Sequence, residues 1–202
     1  MDKTVAVGIC GRSGSGKSYI SELFSRRGGY HVDTDKVYHE LLEPKDGALS
    51  ECASSLSKNF GDDILDGVRI DRKILADIVF SNKDKLGQLN RITHAYILDE
   101  TKRQIASCGA AFAVIDAPLL FDSGFNRLCD LTVCVVADEA TCIRRICERD
   151  GVGVDDAKRR LECQISASEL VRMCDYVIDN SDGASPEDDV DRILACEGLI
   201  EI

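Results

Sequence analysis

Near its N-terminus the chain reads Gly11-Arg12-Ser13-Gly14-Ser15-Gly16-Lys17-Ser18. This octapeptide matches the spacing G-x-x-x-x-G-K-[ST] at every fixed position. An apolar run over residues 4–10 precedes it, and Ile20, Leu23 and Phe24 follow at helical spacing. These patterns predict the strand, loop and helix that the motif requires as its context. The octapeptide is therefore predicted to be a phosphate-binding loop.

The residue types in the loop suit the binding of a nucleoside triphosphate. Glycines let the backbone turn so that several N–H groups point at one phosphate, and the following helix adds its positive dipole end. Lys17 is predicted to hold the β- and γ-phosphates, and the Ser18 hydroxyl is predicted to ligate Mg²⁺. We expect ATP to be bound by Arg12, Ser13, Gly14, Ser15, Gly16, Lys17 and Ser18.

Short apolar runs alternate with helical patterns along most of the chain. The runs predict strands over residues 4–10, 30–33, 112–116, 131–137 and 176–179. Nearly continuous apolar runs are typical of strands that are buried on both faces of a parallel sheet. Residues 37–108 show helical patterns and no convincing strand, which predicts a helical insertion. The predicted fold is a single α/β domain over residues 1–202, in which helices flank a central parallel sheet.

Acidic residues follow two of the predicted strands, at the edge where an α/β sheet places its ligand. Asp35 is predicted to act as a general base, and its alternative role is to cap a helix over residues 36–43. Asp33 would orient Asp35 or reach the metal through water. Asp116 is predicted to support Mg²⁺ together with Ser18, and its alternative is an ordinary carboxylate at a strand end.

Residues 144–172, here called the lid segment, are basic in an acidic chain. They hold seven basic and six acidic residues, whereas the whole chain has 25 basic and 36 acidic residues. Arg145 and Arg149 are predicted to contact the transferring phosphoryl group and ATP. The alternative is a solvated helical face on which Asp155 and Arg159 form an ordinary surface pair.

Composition argues against several classes of protein. The formal net charge of −11 disfavours broad binding to nucleic acid or to an anionic membrane. The N-terminus does not have the pattern of a signal peptide, and no apolar stretch has the length of a membrane helix. We therefore expect a cytoplasmic protein that is a monomer or a weak homo-oligomer. Its ten cysteines include no C-x-x-C pair, which indicates reduced, buried thiols.

The loop alone leaves a GTPase, an ATPase motor and a small-molecule kinase open. A guanine-reading N-K-x-D is absent, because the sequence over residues 82–85 is Asn-Lys-Asp-Lys. A dinucleotide-binding G-x-G-x-x-G does not occur at this turn, which makes a hydride-transfer enzyme a poor fit. A kinase is therefore the preferred class.

Several further motifs occur in a characteristic order and spacing. They lie at residues 32–35, 89–94, 116–121 and 145–151, at Gln164, and at residues 175–180. With the loop, they make the chain resemble the dephospho-coenzyme A kinase family nearly from end to end. The chain departs from the family's usual residues at Cys10, Arg12, Ser13, Ala95 and Asp122.

The resemblance implies a P-loop kinase core with a helical subdomain for coenzyme A binding and a lid. It also implies transfer of the γ-phosphoryl group of ATP to the ribose 3′-hydroxyl of dephospho-CoA, with Mg²⁺ as cofactor. The implied catalytic residues are Asp35, Lys17 and Arg145, and Asp33, His94 and Leu119 are expected to contact the acceptor. Two alternatives remain: a uridine-kinase-like or other nucleoside kinase, and a non-catalytic nucleotide sensor.

Overall fold

A computed structural model describes residues 3–200 of the chain. Its strands, in chain order, are β1 Val5–Gly11, β2 Tyr30–Asp33, β3 Leu65–Asp66, β4 Arg69–Ile70, β5 Phe112–Asp116, β6 Leu131–Val136 and β7 Tyr176–Asp179. Its helices are α1 Lys17–Arg26, α2 Thr34–Leu42, α3 Glu51–Phe60, α4 Arg72–Phe80, α5 Lys83–Ser107, α6 Glu139–Asp150, α7 Val154–Glu162, α8 Ala167–Met173 and α9 Pro186–Cys196. Among these residues, no helix combines the length and the apolar character needed to cross a membrane.

Five strands form one sheet in the order β2-β5-β1-β6-β7, and β1 lies at its centre. The pairings of β1 with β5, of β1 with β6 and of β6 with β7 are parallel. The predicted α/β class with a central parallel sheet is therefore confirmed. β1 continues one residue further than the apolar run predicts, because Gly11 still pairs with Val135 of β6.

The chain divides into two compact units. The first consists of the chain up to Val32 and from Ile105 onward, and the second is Asp33–Gln104. In the first unit, apolar side chains of the sheet pack against α1 and α9, with Phe24 and Phe112 in edge-to-face contact at 6.4 Å between ring centroids. Burial of these side chains from water is the main term that stabilises this core.

The second unit has a separate core built mainly from its helices. Leu56, Ile64, Leu75 and Val79 are buried there, and the apolar side of α5 packs against them. The expectation that this stretch has no strand is wrong, because β3 and β4 form a short antiparallel hairpin. Strands of two residues are too short to show an alternating pattern. The Asp66-Gly67 dipeptide, a common turn signal, was the feature that could have revealed the hairpin.

Candidate active site

The phosphate loop runs from the end of β1 to the start of α1, and its glycines are required by close packing. Gly14 and Gly16 have φ values of 78° and 89°, in the left-handed region that other residues rarely adopt. A Cβ atom on Gly14 would lie 2.4 Å from the Cys142 carbonyl oxygen, and one on Gly16 would lie 2.1 Å from Asn180 Nδ2. The loop therefore lies so close to neighbouring groups that a side chain at either position would clash with them.

Lys17 begins α1, and its ammonium group folds back over the loop. Lys17 Nζ donates a hydrogen bond to the Gly11 carbonyl at 3.0 Å. Burial lowers the pKa of Lys17, and the nearby Asp116 carboxylate acts in the opposite direction. Asp116 ends β5, next to central strand β1, and its carboxylate lies 4.0 Å from His31 Nε2. The structure thus brings Lys17 and Asp116, two of the predicted site residues, close to each other.

Hydrogen bonds attach the loop to later parts of the chain. The Arg12 guanidinium donates to the Leu161 carbonyl at 2.5 Å, and the Ser13 N–H donates to Gln164 Oε1 at 2.9 Å. Asn180 Nδ2 donates to the Ser15 carbonyl at 2.8 Å. Leu161 and Gln164 belong to the lid segment, so hydrogen bonds connect the loop to the lid segment.

Gln164 and Asn180 are absent from the predicted site residues, although they hold the loop in place. Asn180 follows β7 and is 8% exposed, and its backbone N–H donates to the Val136 carbonyl at 2.8 Å. Both Asn180 and the loop lie at the carboxyl ends of parallel strands, and this shared edge was the signal in the sequence. Gln164 follows the end of α7, and its signal in the sequence was its place among the motifs of the family resemblance.

Arg145 and Arg149 lie one turn apart on α6, and both reach the loop. Arg145 Nη1 donates to the Gly14 carbonyl at 3.4 Å, and Arg149 Nη2 donates to Ser13 Oγ at 3.5 Å. Arg145 also lies 3.5 Å from the Asp182 carboxylate. A hydrogen bond to the Asp150 carboxylate, at 2.7 Å, raises the pKa of Arg149. Both guanidinium groups therefore lie beside the backbone that would surround a phosphate.

Other cations of the lid segment form surface ion pairs. Arg144 pairs with Asp182 at 2.9 Å, and Arg160 pairs with Asp150. The predicted pair of Asp155 with Arg159 is wrong, because Arg159 contacts Asp156 instead. On a helix both spacings, three and four residues, bring side chains together, so the sequence alone could not choose between them.

In the second unit, Asp33 and Asp35 have different structural roles. Asp33 Oδ1 accepts hydrogen bonds from the backbone N–H groups of Asp35 at 2.9 Å and Lys36 at 3.1 Å. Asp33 is therefore the N-cap of α2, and the alternative that gave this role to Asp35 is wrong. Asp35 lies in the first turn of the helix. It lines an open groove of about 430 Å³ together with Asp33, Lys36, His39, Glu40 and Glu43.

The remaining two predicted acceptor residues lie in different surroundings. His94 is on α5, outside the set of residues that line this groove, and burial lowers its pKa below the ordinary value of 6.5. Leu119 belongs to the first unit and follows β5. This residue is 56% exposed, and it lies three positions beyond Asp116.

A phosphate loop after the central strand of a parallel sheet, with a carboxylate at the end of the neighbouring strand, defines a P-loop nucleotide-binding protein, the class that contains the P-loop kinases. The family model for dephospho-CoA kinase matches residues 5–186. The chain therefore belongs to the dephospho-CoA kinase family, as its motifs predict.

Individual relatives agree with this assignment. A dephospho-CoA kinase of Corynebacterium glutamicum is 38% identical over 180 residues, which cover 87% of this chain and 88% of that protein. A solved structure of a dephospho-CoA kinase from Campylobacter jejuni has 25% identity and a TM-score of 0.61, and the match covers 96% of this chain and 97% of that one. A shikimate kinase from Bacteroides thetaiotaomicron, 14% identical with a TM-score of 0.55 over 96% of this chain and 99% of that one, shares the fold.

Proposed function

We propose that this chain transfers the γ-phosphoryl group of ATP to the ribose 3′-hydroxyl of dephospho-CoA, which gives coenzyme A. The observation that carries the proposal is the match to the dephospho-CoA kinase family over residues 5–186, which includes the intact phosphate loop. A uridine-kinase-like enzyme would share the loop but not the family match.

Asp35 is proposed as the general base. It accepts the proton of the ribose 3′-hydroxyl while the hydroxyl oxygen bonds to the γ-phosphorus. The bond from that phosphorus to the β–γ bridging oxygen breaks, and ADP leaves. Asp33 supports this role, because its side chain caps α2 and thereby holds the backbone N–H of Asp35. His94 and Leu119 are proposed to contact the acceptor, together with Asp33.

The phosphate loop, residues 11–18, is proposed to bind the donor phosphates. Its N–H groups, the Lys17 ammonium and the Arg145 and Arg149 guanidinium groups supply positive charge where negative charge develops during transfer. The Ser15 hydroxyl is buried and has no hydrogen-bond partner among residues 3–200. A phosphate oxygen would provide the acceptor that this hydroxyl lacks.

Mg²⁺ is the proposed cofactor, held by the Ser18 hydroxyl and the Asp116 carboxylate. Both groups are hard oxygen donors, the kind that this ion prefers, and Asp116 is close to Lys17 at the loop. When bound, the ion would neutralise part of the negative charge of the ATP phosphates. The expectations of a cytoplasmic monomer or weak homo-oligomer, with no nucleic acid or membrane partner, stay predictions.

The test is a phosphoryl-transfer assay with purified protein, ATP, Mg²⁺ and a panel of acceptors. We expect a product that carries a new 3′-phosphate with dephospho-CoA, and no transfer to uridine or adenosine. Preferred transfer to a nucleoside would support the nucleoside-kinase alternative instead. Nucleotide binding without transfer to any acceptor, by protein whose circular dichroism shows it to be folded, would contradict the proposal and favour a sensor.

A further inference from the structure

Three cysteine side chains, from β1, from β6 and from the segment before β7, lie close together in the first unit. Cys10 is the last residue of β1 before Gly11, Cys134 lies on β6 and Cys174 lies two residues before β7. Their Sγ atoms all lie within 4.8 Å of one another, and the Sγ atoms of Cys10 and Cys174 are 3.3 Å apart. Cys10 and Cys134 are paired neighbours in the parallel ladder, so the fold itself places two of the three thiols side by side.

The size of this cluster suits one metal ion bound by three sulfur atoms. A Zn–S bond is about 2.3 Å long, so sulfur atoms around one zinc ion lie about 3.8–4.0 Å from one another. The Sγ atoms of Cys10 and Cys174, 3.3 Å apart, are somewhat closer than this, and no two of the three Sγ atoms are more than 4.8 Å apart, so only small side-chain adjustments are needed. In the part of the chain that the structure describes, this is the only group of three or more histidine, cysteine or acidic side chains with metal-binding geometry.

The surroundings of the cluster favour a thiophilic ion over a hard one. Cys10 and Cys134 are 3% and 0% exposed, and buried thiolate ligands select ions such as Zn²⁺ or Cu⁺. Three thiolates with one Zn²⁺ carry a net charge of −1. The Lys17 ammonium is close enough to interact electrostatically with Cys10 and with Cys134, so it supplies a compensating positive charge.

We propose that Cys10, Cys134 and Cys174 form a binding site for a single thiophilic metal ion of the Zn²⁺ class. Binding forms three sulfur–metal bonds and releases the three thiol protons to solvent. A fourth coordination position remains for water, as in zinc sites with three protein ligands. The ion would join the ends of β1 and β6 to the segment before β7.

The test is a Co²⁺ titration of the full chain, because Co²⁺ reports thiolate ligation through its absorption spectrum. The exposed Cys163 and Cys196 are first replaced by serine so that surface thiols do not contribute. The protein is then reduced and freed of reductant without oxygen. We expect a near-ultraviolet sulfur-to-metal band that saturates at about one equivalent, as one three-cysteine site requires, and that added Zn²⁺ abolishes.

Two variants decide whether the band comes from this cluster. Cys174→Ser and Cys134→Ala are each expected to weaken Co²⁺ binding by more than about 100-fold, because each removes a ligand rather than a supporting partner. Cys52→Ala is the matched control, since Cys52 is also a buried thiol but belongs to the second unit. It is expected to leave the titration unchanged.

The proposal is overturned if no sulfur-to-metal band appears, or if the band survives in both cluster variants. Cys134 is fully buried, so the fold of the Cys134→Ala protein is checked by circular dichroism before titration. Cys174 is only partly buried, and serine has nearly the same shape as cysteine. The Cys174→Ser protein therefore decides the question even if the Cys134 variant fails to fold.

Discussion

Asp33 and Asp35 are two positions apart, and the structure separates their roles. Both carboxylates line the open groove of the second unit, but Asp33 Oδ1 accepts hydrogen bonds from two backbone N–H groups of α2. A carboxylate that caps a helix contributes mainly to stability. One that lies in an open groove has its oxygens available to a ligand, which agrees with the proposed role of Asp35 as base.

Replacing Asp35 by Asn tests this role directly. We expect Asp35→Asn to lower kcat by about 10²–10⁴, because the amide cannot accept the proton of the acceptor hydroxyl. The Kd of an ATP analogue should stay within about twofold of the original value, since Asp35 has no proposed contact with the donor. Single-turnover kinetics and calorimetric titration measure the two quantities.

The matched control for this variant is Glu40→Gln. Glu40 lines the same groove on the same helix, so its replacement removes the same charge without removing the proposed base. We expect the Glu40 variant to retain kcat within about threefold, as is usual for a charge that does not take part in the chemistry. Equal losses in the two variants would mean that groove charge, and not proton transfer, explains the effect.

Asn180 is the second residue for which the structure makes a specific prediction. Asn180→Ala should lower the free energy of unfolding by about 1–3 kcal/mol, because it leaves the buried Ser15 carbonyl without its donor. The affinity for ATP should fall as well, since the loop loses one of its attachments to the rest of the first unit. Urea denaturation and nucleotide titration provide the two measurements.

Asn59→Ala is a suitable comparison, because Asn59 Nδ2 also donates to a backbone carbonyl at 2.8 Å but does so on an exposed surface. Water replaces the donor there, so we expect a loss below about 1 kcal/mol and no change in ATP affinity. If Asn180→Ala were as mild as Asn59→Ala, Asn180 would not hold the loop.

How far the sequence predicts individual residues depends on whether their contacts are local. Lys17 and Ser18 belong to a motif of eight adjacent residues, so the sequence alone predicts their role in nucleotide binding. The bond from Asn180 to Ser15 joins residues 165 positions apart, and the bond from Gln164 to Ser13 joins residues 151 positions apart. No periodicity or spacing records such contacts, so they became visible only with the fold.

Two glycines at the junction of α6 and α7 have opposite backbone conformations. Gly151 ends α6 with φ at 65°, in the left-handed region, whereas Gly153 precedes α7 with φ at −74°. A Cβ atom added at either glycine would meet no other group within 4 Å, so backbone conformation alone decides the effect of a substitution. The two positions therefore test conformation without any change in packing.

We expect Gly151→Ala to destabilise the protein by about 1–2 kcal/mol, the usual penalty of a left-handed conformation for a residue with a Cβ atom. Gly153→Ser should stabilise it by about 0.5–1 kcal/mol, because α7 has no side-chain cap and serine supplies one. Thermal unfolding of the two variants measures both changes. A loss of stability in Gly153→Ser would show that the cap does not form.

Elements were predictable where their patterns are long. The apolar runs placed the five strands of the sheet to within about one residue at either end, because strands buried on both faces admit few polar side chains. The hairpin of β3 and β4 was not predicted, since each strand has only two residues. The alternative that makes Asp35 the N-cap of this helix is wrong, and sequence could not exclude it because aspartate suits the cap at either position.

Nucleotide binding should be measurable as an increase in the free energy of unfolding of the full chain. A non-hydrolysable ATP analogue with Mg²⁺ at about 100 times its Kd should stabilise the folded chain by about 2.7 kcal/mol. Lys17→Met should lose most of this gain, because the ammonium group that is proposed to contact the phosphates is removed. Asp35→Asn should keep the gain. Denaturant unfolding with and without the analogue checks the prediction. Equal stabilisation of the Lys17 variant would mean that the analogue binds elsewhere.

The division of the chain into two units was only partly accessible from sequence. The helical patterns predict an insertion over residues 37–108, and the compact second unit is Asp33–Gln104. The N-terminal boundary falls between Val32 and Asp33, just before the last residue of β2. The C-terminal boundary falls within α5, which continues to Ser107, and a continuous helix gives no sequence signal of such a boundary.

The bonds from Arg12 and Ser13 to Leu161 and Gln164 have a mechanical consequence for turnover. Any outward displacement of residues 161–164 removes the acceptors of the Arg12 guanidinium and the Ser13 N–H. Arg12 is partly buried, so the loss of its acceptor would cost about 1–3 kcal/mol until water reaches the guanidinium, whereas the exposed Ser13 N–H meets water at once. Where product release requires this displacement, we expect the bond from Arg12 to Leu161 to slow it.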